Sequence, residues 1–95
     1  MAAFIVFTKE KTRDQSHMDA YSAAAGAAMG GFALAPRAIY GRHEVMEGAA
    51  TEGVVILEFP TFDEAKAWYD SPAYTAARAH RLKGADYRVV IVEGI

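Results

Sequence analysis

With 95 residues and a mass of 10.3 kDa, the chain has room for one domain and not for two. The absence of Cys excludes disulfides and thiolate metal sites and fits a reducing compartment, which leaves assembly as the simplest further source of stability for so small a core. Ten Lys/Arg against twelve Asp/Glu give a net charge of −2 and no clustered basic face, so nucleic acid is not an expected partner.

Residues 3–9, Ala-Phe-Ile-Val-Phe-Thr-Lys, are aromatic and β-branched and predict a first strand. Neither a basic stretch nor a cleavage-like site accompanies it, so it does not read as a secretion signal. Asp14 is placed to cap a helix whose apolar positions Met18, Tyr21, Ala25 and Ala28/Met29 step by three and four. That stripe is mostly Ala, which lets the helix sit close to whatever it covers, and Gly30-Gly31 stops it. The apolar stretch from Ala23 to Pro36 falls short of the ~20 residues a bilayer span needs, so no membrane association and a cytoplasmic location are expected. Phe32 to Tyr40 holds Pro36 and reads as an irregular or edge strand. Gly41 permits a bend, and His43 to Glu47 continue this second strand in extended form.

Gly48 to Gly53 is a turn-rich connection, followed by the third strand, Val54-Val55-Ile56-Leu57-Glu58-Phe59, which Pro60 ends. Thr61-Phe62-Asp63-Glu64 forms a capping box, with Thr61 and Glu64 each binding the other's backbone N–H. The helix it opens turns Phe62, Ala65 and Trp68/Tyr69 inward. Ser71-Pro72 restarts a helix, Ser as N-cap and Pro at the first helical position, and this helix ends at Lys83-Gly84. Tyr87 to Glu93 is the last strand. The order predicts an α+β fold of the ferredoxin-like βαββαβ plan over residues 1–95, a four-stranded antiparallel sheet with its helices on one face.

An antiparallel sheet with one wet face alternates apolar and polar residues. This one does not. Val54/Ile56 oppose Val55/Leu57/Phe59, Val89/Ile91 oppose Val90/Val92, and Phe4/Val6 oppose Ile5/Phe7. Two helices cover one face only, so a second copy related by a two-fold axis is expected on the other, giving a homodimer of the α+β barrel type.

The three His residues, His17, His43 and His80, lack metal-ligand spacing, and no Gly-rich phosphate loop or nucleophile elbow occurs, so neither a metal nor a cofactor is expected. His43, placed on the second strand beside Tyr40, could take a proton near neutral pH, and so could His80; these are the candidate catalytic bases. The plainer reading of His43 is an ordinary rim or interface hydrogen bond. His17 and Tyr21, four apart, read as a partly exposed pair on one helical flank. Trp68, Tyr69 and Tyr74 flank the Ser-Pro break, where a kink opens space above a sheet, and aromatics with polar tips suit a small-ligand pocket. Simple core packing is the alternative. Arg78, His80, Arg81 and Lys83 gather at a helix C-terminus, where the macrodipole favours cations. Arg81, with His80, is also the candidate clamp for a substrate carboxylate. The ligand-binding set is therefore Trp68, Tyr69, Tyr74, Arg81 and Tyr40. Glu58 and Glu93, each at the end of an apolar strand, read as solvated ends.

The run Phe59-Pro60-Thr61-Phe62-Asp63-Glu64-Ala65-Lys66-Ala67-Trp68-Tyr69-Asp70-Ser71-Pro72-Ala73-Tyr74 resembles the domain-of-unknown-function family 1330. Trp-Tyr-x-Ser-Pro-x-Tyr is the most specific mark, and Gly30-Gly31, Met46-Glu47-Gly48 and Val92-Glu93-Gly94 also match. The resemblance spans essentially the whole chain. It implies the dimeric α+β barrel superfamily and no particular reaction, since wider relatives include cofactor-free monooxygenases, lactone isomerases and haem proteins. Haem would ask for a well-placed proximal His, and nothing singles one out. The leading expectation is a dimer binding a small, mostly apolar metabolite between sheet and helices. The alternatives are a cofactor-independent monooxygenase or isomerase acting on an aromatic or a lactone, and a purely structural dimer without a pocket.

Overall fold

Period-two burial in the strands and period-3.6 burial in the helices lay out the architecture of this computed structural model, which describes residues 1–95. The elements are β1 (Ala3–Thr12), α1 (Gln15–Ala28), β2 (Ala35–Ile39), β3 (Gly53–Phe59), α2 (Phe62–Tyr69), α3 (Pro72–Gly84) and β4 (Ala85–Glu93). The sheet is antiparallel throughout, with strand order β2-β3-β1-β4. This is the expected ferredoxin-like plan. β1 and β3 form its centre, and Ala3, Ile5, Phe7, Val55, Leu57 and Phe59 point from them into the core beneath the helices.

The helices start where their caps dictate. Asp14 Oδ1 accepts from the Ser16 N–H at 3.0 Å and from the His17 N–H at 3.4 Å. Thr61 Oγ1 accepts from the Glu64 N–H at 3.1 Å, but the Glu64 carboxylate turns to the Thr61 hydroxyl rather than to its backbone, so only half of the expected capping box forms. Ser71 Oγ accepts from the Tyr74 N–H at 3.3 Å, with Pro72 at the first helical position as expected. At the far end of α3, Gly84 packs against α1 so closely that a Cβ would lie 2.9 Å from Met18 Sδ and 3.2 Å from the Asp14 carbonyl. Its own carbonyl accepts from the Arg13 and Asp14 N–H groups at 2.7 and 3.0 Å, tying the start of α1 to the start of β4.

Two strand expectations need correction. β1 runs three residues beyond Lys9, past a bulge between Lys9 and Lys11, because Lys11 and Thr12 find partners in Asp86 and Ala85. The second strand is shorter than read: it ends at Ile39, and His43 to Glu47 are irregular. Tyr40 stands at φ 51 and turns the chain off the ladder, while Pro36 has no N–H to donate and sits at a register shift before Ala38.

The second sheet face is apolar and uncovered. In register across the four strands lie Ala38, Ile56, Val6 and Val90, with Phe4 and Val92 in the adjoining row. Val90 and Val92 are half exposed. The single chain exposes 5816 Å², against about 5,400 Å² expected for a folded monomer of this mass. Glu58, also on this face, pairs with Arg37 at 2.9 Å rather than standing free in solvent.

Candidate functional site

All five tyrosines converge on one arginine. In α3 the buried positions Tyr74, Ala77, Arg81 and Gly84 step by three, four and three, which puts Arg81 on the inner stripe rather than among the solvated cations of the helix end. The side chain is 3 % exposed. One guanidinium nitrogen donates to the Tyr69 hydroxyl at 3.2 Å, and the guanidinium carbon lies 4.9 Å from the Tyr87 ring centre and 6.0 Å from that of Phe7. Tyr87 shares a short hydrogen bond with Tyr40, and Tyr74 shares one of 2.8 Å with Tyr21.

Trp68 anchors this cluster. It is fully buried, its ring centre lies 4.2 Å from that of Tyr74 and 5.6 Å from that of Phe59, and its Nε1–H donates to the Ala28 carbonyl at 3.1 Å. That bond satisfies an orphan acceptor at the end of α1 while locking α2 against it.

Beside the cluster, between α1 and the β2–β3 edge of the sheet, lies a cleft of about 310 Å³. Phe7, Val55 and Ile39 form its sheet side, and Tyr40 closes one end. From α1 it receives Tyr21 and Met29, while Ala25 and Gly26 leave the space that larger residues would fill. Seven of its nine wall residues are hydrophobic, as a small-molecule site requires. Three phenols in and behind its walls, Tyr21, Tyr74 and Tyr87, are held protonated. Burial pushes Tyr21 far above the ordinary tyrosine range, with the neighbouring Tyr74 adding to it and the Arg81 charge offsetting part. Tyr74 is raised by burial, and Tyr87 by burial and by its bond to Tyr40.

Of the residues expected around a ligand, Tyr40 is a wall of the cleft. Tyr74 and Arg81 stand one contact behind it, through Tyr21 and Phe7. Trp68 is core, and Tyr69 edges a separate hollow of about 180 Å³ with Lys66, Val89 and Ile91. The two candidate bases are not brought together. His43 Nε2 meets the Thr51 carbonyl at 2.8 Å in the irregular loop, whereas the His80 ring lies 5.9 Å from that of His17, away from the cleft. Tyr21 is buried, as its place on the inner stripe of α1 predicts and against its reading as a partly exposed partner of His17, but sequence reasoning did not name it as a site residue. Sequence reasoning also missed the thinness of α1 at Ala25-Gly26. The small residues were visible, but the space they leave becomes a cleft only once β2 has been placed. No group of three or more His, Asp or Glu side chains is arranged to hold a metal ion.

The family model described as Domain of unknown function (DUF1330) matches residues 2–95. The chain belongs to that family. No curated protein matches it significantly. Among solved structures, it is similar to a protein of unknown function from Rhodopseudomonas palustris, at 16 % identity and a TM-score of 0.76, over 99 % of this chain and 83 % of that one. It is also similar to a dimeric protein of unknown function with a ferredoxin-like fold from Bacteroides fragilis, at 19 % identity and a TM-score of 0.67, over 98 % and 96 % of the two chains. SnoaB, a cofactor-independent oxygenase from Streptomyces nogalater, shares the fold at 7 % identity and a TM-score of 0.58, over 99 % and 92 %. At such identities these likenesses concern the fold. No helix is long and apolar enough to cross a membrane.

Proposed function

We propose that this DUF1330 chain acts as a homodimer that binds a small, mostly apolar metabolite in the cleft between α1 and the β2–β3 edge. The observation that carries the reading is the cleft itself, about 310 Å³ with predominantly hydrophobic walls that include two tyrosines, Tyr21 and Tyr40. Within it, Tyr40 contacts the ligand directly, Tyr74 orients Tyr21, and Trp68 and Tyr69 hold the supporting cluster in place. Binding is preferred over catalysis by His43 or His80. A general base must come within hydrogen-bond reach of its proton, and neither His43 nor His80 is among the residues that line this cleft. The shared fold with a cofactor-independent oxygenase supports the enzymatic alternative only at the level of architecture.

The dimer is supported by the apolar row on the uncovered sheet face and by the dimeric state of the similar Bacteroides fragilis protein. Two sheets meeting face to face bury that row and close a barrel. Light scattering at micromolar concentration is expected to give twice the monomer mass; a stable 10.3 kDa species overturns the dimer.

Gly26→Leu tests the cleft. A Cβ at 26 meets nothing within 4 Å, so the larger side chain enters open space, and Leu is the better helix former by roughly 0.8 kcal/mol. Calorimetric titration with hydrocinnamide is expected to show saturable binding to the parent chain and none to Gly26→Leu, whose melting temperature stays equal or rises. Equal binding by both proteins, or by neither, removes the cleft as a ligand site.

A further inference from the structure

Arg81 is a buried cation without a counterion. Lys9, Arg13, Arg37 and Lys66 each pair with a carboxylate, and Arg81 does not. Its Nε is the one buried side-chain polar atom that has no hydrogen-bond partner. A buried guanidinium is retained at a large desolvation penalty, normally offset by a carboxylate. Here its neighbours are phenols and aromatic faces, together with the favourable end of the α3 dipole, which accommodate the charge but leave an N–H unfilled. In a native structure such an orphan calls for an explanation.

The position of the orphan supplies one. Three walls of the cleft, Phe7, Tyr21 and Tyr40, each lead to Arg81 through a single intermediate contact or none: Phe7 directly, Tyr21 by way of Tyr74, Tyr40 by way of Tyr87. Of the three, Tyr40 is the most exposed. It is 42 % exposed, lies just past the end of β2, and holds a left-handed backbone (φ 51) that a tyrosine seldom adopts. Its ring rests over Gly53, where any Cβ would collide with it, and under Lys9 Nζ at 4.9 Å. The hydroxyl bond to Tyr87 is solvent-exposed.

We propose that the cleft takes a small apolar carboxylic acid, its body against the hydrophobic walls and its carboxylate reaching the Arg81 Nε–H when Tyr40 swings off Tyr87. This deepens the binding reading above and rests on it. A carboxylate is the head group that suits the site, because it accepts from the free Nε–H and neutralises the guanidinium at the same time. An uncharged ligand does only the first.

The test is a pair of isosteric probes, hydrocinnamate and its uncharged amide, titrated at neutral pH by calorimetry. The parent protein is expected to bind the acid about ten- to a hundred-fold more tightly than the amide, the range for a hydrogen bond to a charged partner. Arg81→Met, which fills the same space without charge, is expected to abolish that preference while still binding the amide. Tyr40→Phe, which keeps the wall but loses the bond to Tyr87, is expected to raise the ratio of acid to amide affinity about three- to ten-fold. Equal affinity of the parent protein for acid and amide overturns the anion site and leaves the cleft standing; this comparison needs no variant, so it decides even where Arg81→Met fails to fold. An unchanged acid-to-amide ratio in Tyr40→Phe overturns the route past Tyr40. Failure of both probes to bind the parent overturns the cleft and the anion site together.

Discussion

The two faces of the sheet are made of nearly the same residues and meet different fates. On one, Ile5, Phe7, Leu57 and Phe59 vanish under three helices and a cluster of aromatic rings. On the other, Phe4, Val6, Val54 and Ile56 are only partly shielded, by one another, and Val90 and Val92 stand half in solvent. Composition alone does not tell them apart. Chain connectivity does, since right-handed crossovers send both helical connections to the same side. The lesson is that apolar content measures how much surface must be covered, whereas topology decides how much of that the chain can cover itself.

The comparison breaks most visibly in the covered face. Trp68→Ala is expected to lower unfolding stability by about 3–5 kcal/mol in denaturant titration, because the ring packs on Phe59 and Tyr74 and its N–H satisfies α1. A loss near zero would mean that the cluster is not the core. On the open face, Ile56→Asp leaves the monomer's own core intact, so under the proposed dimer its effect comes through assembly. A carboxylate buried there without a partner costs on the order of 2 kcal/mol or more. The expected readout is monomeric light scattering with a lower, concentration-independent melting point. If Ile56→Asp stays dimeric, the dimer uses another surface.

Smaller effects sharpen the same contrast. Gly84→Ala forces a methyl group against Met18 and the Asp14 carbonyl, and a loss of about 1–3 kcal/mol is expected, while the same change at Gly26, which faces open space, is neutral or stabilising. Acid is the mildest probe. The Asp14 carboxyl is held below its ordinary value chiefly by the Ser16 hydroxyl, and that of Glu52 chiefly by the Thr12 hydroxyl. Both groups therefore contribute stability above the unfolded carboxylate range, near ~4, and lose it as pH falls through their lowered folded values. Melting curves across that range should flatten in Asp14→Asn and Glu52→Gln. Identical pH profiles would show that neither bond matters in solution.

Most of the fold was legible because its signals are local and agree with one another. Asp14, Thr61 and Ser71-Pro72 mark helix starts by chemistry that any context preserves, and the two-sided strands can hardly be anything else. The second strand was misread because extended residues without a ladder partner look the same in sequence as those with one; only the left-handed turn at Tyr40 separates them. The candidate site was half legible. Tyr40, Tyr74 and Arg81 were singled out, but by composition and by the Ser-Pro break. The burial of Arg81 was available from its spacing to Tyr74 and Ala77, and the attraction of a helix C-terminus for cations masked it. The Tyr40–Tyr87 and Tyr21–Tyr74 pairs join residues 47 and 53 positions apart, and no periodicity reports such contacts.

Gly53 never touches the cavity, yet it sets one of its dimensions. The bare backbone at that point is the seat on which the Tyr40 ring rests, and a single methyl group there would lift the ring away. Under the proposed binding role, selectivity for ligand size is therefore set from outside the cleft walls, by one atom on a neighbouring strand. A protein engineer, or natural variation, would find the setting screw there and not among the residues a bound molecule meets.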